Sequence, residues 1–289
     1  MKLIKFLKPL VEKTVLAKLY RYYRDSKPLR KKIIYRKALG FYFNGFADNS
    51  DSMEQGWYEP VRTSIFEKVI RQSDLFINIG ANSGYYVCRA LKNHIDVLAF
   101  EPNLLNIKIL LHNVITNNFQ AKFQLIPVAL TDKIGILQLY GDNTGASLIK
   151  NWSGQIQSTL TPVSTFDSMF STLIKDKKCL VLMDMEGSEY NCLKGAESLL
   201  INNKQGLFLV EIHVKADQPI KGDINPRLID TFEIFFKYGF SAYAIDTELH
   251  KIELDDIKMV VETGVDTLRS PSNTFIFISN DKSLASFGL

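Results

Sequence analysis

Cysteine, histidine and tryptophan are scarce in this chain: three, four and two among 289 residues. The cysteines (Cys88, Cys179, Cys192) are odd in number and widely spaced. That fits reduced thiols in a cytoplasmic protein better than a disulfide framework or a zinc site. Long apolar runs are missing too, and none approaches the ~20 residues needed to span a bilayer. Lysines interrupt the apolar residues of the opening Met1-Lys-Leu-Ile-Lys-Phe-Leu-Lys-Pro9, so no secretory signal is expected. The chain carries neither G-x-G-x-x-G nor G-x-x-x-x-G-K-[ST], which removes the usual cradles for a dinucleotide pyrophosphate and a nucleoside triphosphate. Internal repeats and low-complexity tracts are absent as well.

What is present supports a large core: 46% of residues are hydrophobic and 11% aromatic, enough for one domain with additions. Charge is unevenly placed. Residues 1–37 hold 13 Lys/Arg against Glu12 and Asp25, a balance of +11, while the remainder has 22 Lys/Arg and 29 Asp/Glu, a balance of −7. Leu3, Leu7, Leu10, Thr14 and Ala17 recur at helical spacing, with lysines mostly off that line. We therefore expect residues 1–55 to form a basic, amphipathic helical extension, irregular around Asp48 to Ser52, ahead of a body at 56–289. Such an arm suits an anionic partner, above all a membrane surface at the inner face; it could equally pack as a solvated helix on its own domain.

From about residue 56, apolar strands and helices alternate. Strands are expected at Leu75–Ile79, Val97–Phe100, Phe123–Ala129, Cys179–Met183, Gly206–Ile212, Phe240–Ile245 and Thr274–Ser279. Helices are expected at Pro60–Arg71, Gly84–Leu91, Leu104–Asn117, Ser188–Leu200 and Arg227–Tyr238. This pattern predicts an α/β fold whose parallel sheet is covered on both faces, with a ligand site at the strands' carboxyl ends. Residues 134–165 break the alternation and read as a β-hairpin insertion near the mouth of that site.

The most informative stretch is a strand, a glycine turn from Gly80 to Gly84, a short helix and a second strand closed by Glu101. Glycines let the backbone turn tightly against a ligand, and an acid ending the next strand can accept hydrogen bonds from a ribose diol. A nucleoside without a phosphate cradle fits this turn, and S-adenosylmethionine is such a nucleoside.

Several separated motifs then carry a family resemblance: Asn78-Ile-Gly-Ala-Asn-Ser-Gly84, Phe100-Glu-Pro102, Val128-Ala-Leu-Thr-Asp132, Gly145-Ala-Ser-Leu148, Ser164-Thr-Phe-Asp167, Met183-Asp-Met-Glu-Gly-Ser-Glu189, Leu193-Lys-Gly-Ala196 and Val210-Glu-Ile-His213. In order and interval the chain, from about Gly56 to Ser279, resembles the FkbM-type S-adenosylmethionine-dependent methyltransferases. The resemblance implies a seven-stranded Rossmann-like sheet with an antiparallel last strand, and methyl transfer to a hydroxyl of a sugar or related small molecule. The family usually has Asp where this chain has Asn78.

The cofactor is expected to meet Asn78, Gly80, Ala81, Asn82 and Gly84 on its methionine side, Glu101 at the ribose, Pro102 and Asn103 beside ribose and adenine, and Asp132 at the adenine amino group. For catalysis, Asp184, Glu186, Glu211 and His213 end neighbouring strands. His213 is the expected base, oriented by Asp184 or Glu211; the same four residues could instead ligate Mg²⁺ or Mn²⁺. Ser147, Asn143 and Trp152 of the insertion are candidate sugar contacts, and one of Tyr85 and Tyr86 is expected in the core. Two other functions fit less well. One is an RNA methyltransferase gripping phosphates with the basic arm, although neither an Asn-Pro-Pro-Tyr-type motif nor an RNA-binding module is present. The other is a non-catalytic cofactor-binding scaffold, at which only Asn78 hints.

Overall fold

A computed structural model describes residues 32–45, 50–141, 144–155, 157–246 and 248–289. The helix expected near the amino terminus, most of the basic arm and Asn143 lie outside these residues. In chain order the elements are β1 (Tyr35–Arg36), β2 (Phe41–Tyr42), α1 (Ser50–Gln55), α2 (Pro60–Ile70), β3 (Leu75–Ile79), α3 (Tyr85–Lys92), β4 (Asp96–Phe100), α4 (Leu104–Asn117), β5 (Phe123–Ile126) and β6 (Ala129–Leu130). Then follow β7 (Gly135–Tyr140), β8 (Ser158–Ser164), α5 (Phe166–Phe170), β9 (Cys179–Met183), α6 (Glu189–Lys194), α7 (Glu197–Asn202), β10 (Leu207–Glu211), α8 (Leu228–Lys237), β11 (Phe240–Ala244), β12 (His250–Ile252), α9 (Leu254–Thr263) and β13 (Thr274–Ser279).

The main sheet runs β12-β11-β13-β10-β9-β3-β4-β5. Strands β5, β4, β3, β9 and β10 are mutually parallel, and β13 is antiparallel to both neighbours. This is the Rossmann-like sheet with an antiparallel last strand, widened by one short edge strand, β12, to eight rather than seven. Alternate residues of each strand feed two cores. Ile77, Phe100, Val181 and Phe208 pack on one face, and Phe76, Val97, Leu182 and Leu209 on the other. Burial on both faces is why these strands read as unbroken apolar runs. The strand order reverses beside β3: the chain goes out to β4 and β5, then returns to β9 on the other flank. That places a crevice at the carboxyl ends of β3 and β9.

Three departures have local causes. The run expected as Phe123–Ala129 divides at Pro127, which has no N–H for a ladder; β6 leaves the main sheet and pairs with β8 instead. The helix expected as Ser188–Leu200 breaks into α6 and α7 at Gly195, where a Cβ would overlap the Thr131 carbonyl. Helix α9, not anticipated, has a capping box between Glu253 and Asp256 and ends at Gly264 in the left-handed region, both sequence-level signals. The expected insertion is the antiparallel pair β7–β8, joined by β6.

Residues 35–45 and 50–55, grouped above with the extension, are not a separate layer. They form the β1–β2 hairpin and α1, and Leu39, Phe41, Phe43 and Met53 are buried with Tyr85 and Val87 in one core. Two asparagines of α4 hold this segment by backbone-like pairing. Asn117 Oδ1 accepts from Tyr42 N–H (2.7 Å) and its Nδ2 donates to Tyr42 O (2.8 Å). Asn113, fully buried, accepts from Asn44 N–H (2.9 Å) and donates to the carbonyls of Asn44 (3.0 Å) and Ser83 (2.9 Å). Asn113→Ala would orphan these buried groups. We expect a loss of about 2–4 kcal/mol in urea unfolding, against under about 1 kcal/mol for Lys108→Ala on the exposed face of α4.

Candidate active site

The crevice is a cavity of about 390 Å³. One end is built by the turn after β3. Gly80 N–H (2.9 Å) and Ala81 N–H (3.0 Å) both donate to Phe100 O, folding the turn back on β4. Gly80 has φ +86°, and a Cβ there would overlap the Asp184 carbonyl; only glycine lets these loops meet. Glu101, buried at the end of β4, ties the turn to the start of α4. Its Oε2 accepts from Asn82 N–H (2.7 Å), and its Oε1 from Asn103 N–H (2.9 Å) and Asn106 Nδ2 (3.2 Å). Burial raises its pKa and these donors pull it down, with burial dominant. Asn78, 2% exposed, lines the cavity from β3, and among the described residues its Oδ1 has no hydrogen-bond partner. An unmatched buried acceptor on a cavity wall is costly unless a ligand donor meets it. With the glycine turn and Glu101, this donor-seeking wall fits S-adenosylmethionine: Asn78, Gly80, Ala81 and Asn82 on one side, Glu101, Pro102 and Asn106 on the other.

The opposite end is organised by Arg62 of α2, 1% exposed. Its Nη1 donates to Glu211 Oε2 (2.7 Å), its Nε to Glu59 Oε2 (2.6 Å), and Nη1 and Nη2 reach Asp184 Oδ2 at 3.4 and 3.3 Å. Tyr86 donates to the same Glu59 Oε2 (2.8 Å). Three carboxylates from three distant segments thus converge on one guanidinium, whose five donors suit such a role. Their ionisation is unequal. Burial and the neighbouring Glu211 hold the Asp184 carboxyl well above its usual range despite Arg62. Burial also opposes ionisation of Glu211, but Arg62 and His213 outweigh it and bring it to about 2.

Glu186 forms the third wall. It lies in the left-handed region (φ 54°), followed by Gly187 at φ 90°. A Cβ on Gly187 would overlap the Trp152 ring, so the turn and the insertion are fitted to each other. Trp152 Nε1 donates to Glu186 Oε2 (2.8 Å) and Ser147 Oγ to Glu186 O (2.6 Å). Burial raises Glu186 to about 7, with the Trp152 donor opposing. Beneath it Glu189, also buried and raised to about 7, accepts from Met185 N–H (3.0 Å) and Gly187 N–H (3.2 Å).

The structure thus brings Asp184, Glu186 and Glu211 to one cavity with Asn78, Gly80, Ala81, Asn82, Glu101 and Pro102. It places the other expected residues elsewhere. His213 stands behind Glu211 rather than on the cavity wall, its Nε2 2.8 Å from Glu211 Oε1 and its ring edge-on to Trp152. Burial would lower its pKa, but the Glu211 carboxylate wins and raises it to about 9, so at neutral pH it is a cation rather than a base. Gly84 is the packing point of α3 on α4, where a Cβ would press on Leu110. Asn103 caps α4, accepting from Leu105 and Asn106 N–H, and Asn106 takes its place on the wall. Asp132 pairs with Lys194 (3.1 Å) away from the cavity. Ser147 and Trp152 are buried and hold Glu186 instead of meeting a sugar. Both Tyr85 and Tyr86 are buried, and both border the cavity. The alternative set of metal ligands, Asp184, Glu186, Glu211 and His213, is not assembled as such. Glu59, Asp184 and Glu211 do bring carboxylate oxygens within 4.8 Å of one another, but Arg62 already supplies their counter-charge. Arg62 and Glu59 had no sequence signal, since nothing in an amphipathic helix marks which arginine turns inward.

The methyltransferase FkbM domain family matches residues 78–242. No curated protein matches the chain. Similar solved structures include precorrin-6y C5,15-methyltransferase of Geobacter metallireducens GS-15, at 12% identity over 76% of this chain and 89% of that one, with a TM-score of 0.40. Another is the SAH-bound methyltransferase PaMTH1 of Podospora anserina, at 12% identity over 92% and 96%, with a TM-score of 0.41. No helix among the described residues is long and apolar enough to cross a membrane.

The raised pKa values of Glu186 and Glu189 (about 7), Asp184 and His213 (about 9) share one sign. In each case the folded state holds its proton more tightly than the unfolded chain, so stability falls as pH rises. For the two glutamates it is lost between their unfolded value and about 7, and for His213 between its unfolded value and about 9. The melting temperature should therefore decline steadily from pH 5 to 9, and Glu189→Gln should flatten the portion below about pH 7. A melting temperature that climbs across this range would contradict the burial of these acids.

Proposed function

The chain belongs to the methyltransferase FkbM family, and from that premise we propose that it methylates a hydroxyl of a sugar, in a glycan or a glycosylated metabolite, using S-adenosylmethionine. The observation that carries the reading is that one cavity joins the Gly80–Glu101 nucleoside end to a cluster of four carboxylates, Glu59, Asp184, Glu186 and Glu211. Such convergent acceptors suit the hydroxyls of a polyol and the removal of a proton from one of them.

Bound at the glycine turn, the cofactor would supply a methyl group on a sulfonium leaving group. The chain's own residues would do the rest. Glu101 fixes the turn, and Asn78 offers its unmatched Oδ1 to the ligand. Glu59, Asp184 and Glu211, locked around Arg62, orient the acceptor, and such alignment can contribute several kcal/mol. Glu186 is the proton acceptor best matched to neutral pH. It lies on the cavity wall, is held by Trp152, and has its pKa lifted to about 7 by burial. His213, committed to Glu211, keeps that carboxylate ionised and in place.

Cofactor binding and chemistry can be tested apart. S-adenosylhomocysteine at about 100 times its dissociation constant should stabilise the protein by about 2.7 kcal/mol, and Gly80→Ala should abolish the shift. Glu186→Gln should keep the shift yet lower turnover of a glycan acceptor by about 10²–10⁴-fold. It should also remove the rise of rate with pH through about 7 that the Glu186 carboxyl predicts for the unmodified protein. Chelator should leave turnover unchanged. Absence of any shift with the nucleoside would refute the reading.

A further inference from the structure

Three tyrosines line the cavity, Tyr58, Tyr85 and Tyr86, and two of them have committed their hydroxyls. Tyr86 donates to Glu59 Oε2 (2.8 Å) and lies 3.2 Å from Thr63 Oγ1. Tyr85 accepts from Arg89 Nη2 (2.6 Å). Tyr58 differs. Its carbonyl accepts from Thr63 Oγ1 (2.8 Å), but among the described residues its hydroxyl has no hydrogen-bond partner. Nor is that hydroxyl sealed inside the protein, so a ligand can reach it. The ring is nonetheless fixed. It is half-buried, packs against the core that contains Phe43 and Val87, and stands edge-on to Tyr85 with centroids 5.4 Å apart. A packed phenol normally finds a partner for its O–H, and here that donor is unspent.

The position of Tyr58 joins the two ends of the site. Tyr85, against which its ring packs, follows Gly84 of the glycine turn, and the residue after Tyr58 is Glu59 of the Arg62 cluster. The phenol lies in the field of Glu59, Arg62, Asp184 and Tyr86, and each of these four lines the same cavity. Burial first, then the Glu59 charge, push its pKa up, so it keeps its proton and cannot serve as a base. The carboxyls around it accept or donate according to their ionisation, and Arg62 is committed to three of them. Tyr58 donates whatever their state. A sugar hydroxyl has lone pairs to be met as well as a proton to give. The reacting oxygen is the wrong recipient, because a donor there would hold the lone pair that must attack the methyl group. A neighbouring oxygen carries no such conflict. Granted the sugar-acceptor reading, on which this rests, we propose that the Tyr58 hydroxyl donates to an acceptor oxygen adjacent to the one methylated. The substrate is then a vicinal diol, held by Tyr58 at one oxygen and methylated at the other.

Tyr58→Phe removes the oxygen and keeps the ring. Because that oxygen is unbonded in the unliganded protein, the melting temperature should be unchanged. Tyr86→Phe, which strips the bonds to Glu59 and Thr63, should lower it. The thermal shift with S-adenosylhomocysteine should be the same in Tyr58→Phe as in the unmodified protein. Methyl glucoside, galactoside and mannoside are then titrated by calorimetry into the full chain saturated with S-adenosylhomocysteine, followed by the monodeoxy analogues of the tightest binder. Tyr58→Phe should bind the parent glycoside about tenfold more weakly and methylate it with a higher KM and kcat held. The analogue lacking the oxygen next to the methylated one should lose about tenfold against the unmodified protein and nothing further against Tyr58→Phe. A parent glycoside bound and methylated equally well by Tyr58→Phe overturns the Tyr58 bond and leaves the sugar-methylation reading standing. A loss in Tyr58→Phe that no deoxy analogue reproduces does the same, as does a lost nucleoside shift, which would assign the hydroxyl to the cofactor. A matching oxygen that is not adjacent to the methylated one overturns the vicinal diol. If no pyranoside binds or is methylated although the nucleoside shift is normal, the Tyr58 bond and the sugar reading fall together.

Discussion

The chemistry of this molecule depends on one buried cation. Arg62 is enclosed by Glu59, Asp184 and Glu211, and no one of the four could sit there without the others. Desolvating an isolated charge is prohibitive, and removal of one partner from a buried ionic cluster typically costs about 3–5 kcal/mol. The cluster also fixes geometry across the whole crevice. Arg62 comes from the helix in front of the sheet, Asp184 from the tip of β9 and Glu211 from the tip of β10, so one guanidinium sets the spacing of helix and strand ends. With Arg62 and His213 on either side, Glu211 stays ionised, and burial, with that charge beside it, holds the Asp184 carboxyl well above its usual range. A single positive group therefore decides which of several neighbouring acids carries charge.

Much of this was legible in the sequence, and the boundary of legibility is physical. Leu75–Ile79, Cys179–Met183, Thr274–Ser279 and Leu104–Asn117 could be read to the residue because strands and helices buried along their length announce themselves as apolar runs or periods. The Gly80 turn and Glu101 were legible because backbone conformation and a strand-end acid leave local marks. Arg62 left none. It is one of 35 Lys/Arg, and its burial follows from partners 122 and 149 residues away. The break at Gly195 likewise depends on the Thr131 carbonyl from another part of the chain. Local pattern reports an element's own requirements, whereas contacts between elements decide which polar side chain becomes special.

His213 and Trp152 show the same limit inside the site. His213 was expected as the base and Trp152 as a sugar contact, and both support rather than line the cavity. Trp152 gives its one donor to Glu186, and its ring closes over Gly187. His213 gives its Nε2 to Glu211 and its ring edge to Trp152. A continuous chain of contacts thus runs from the insertion through Trp152 to Glu186, and through His213 and Glu211 to Arg62. The β7–β8 hairpin is therefore a structural part of the site, and its sequence is constrained by the ionisation of acids it does not itself contain.

Asn78 gains a different meaning in this setting. Taken alone, replacing the family's acid by an amide removes a charge that would favour a cationic ligand. Within the cavity that charge is one among several. Burial and the neighbouring Glu211 hold the Asp184 carboxyl above its usual range. A nearby cation favours the ionised form of such a group, so Asp184 is a source of negative charge for a cationic ligand that Asn78 no longer supplies. The amide also spares the unliganded protein another buried carboxylate with no donor, a burden Asn78 Oδ1 bears only as a neutral acceptor. An asparagine at this position is thus compatible with a working site because Arg62 has already concentrated the ionisable groups at the other end.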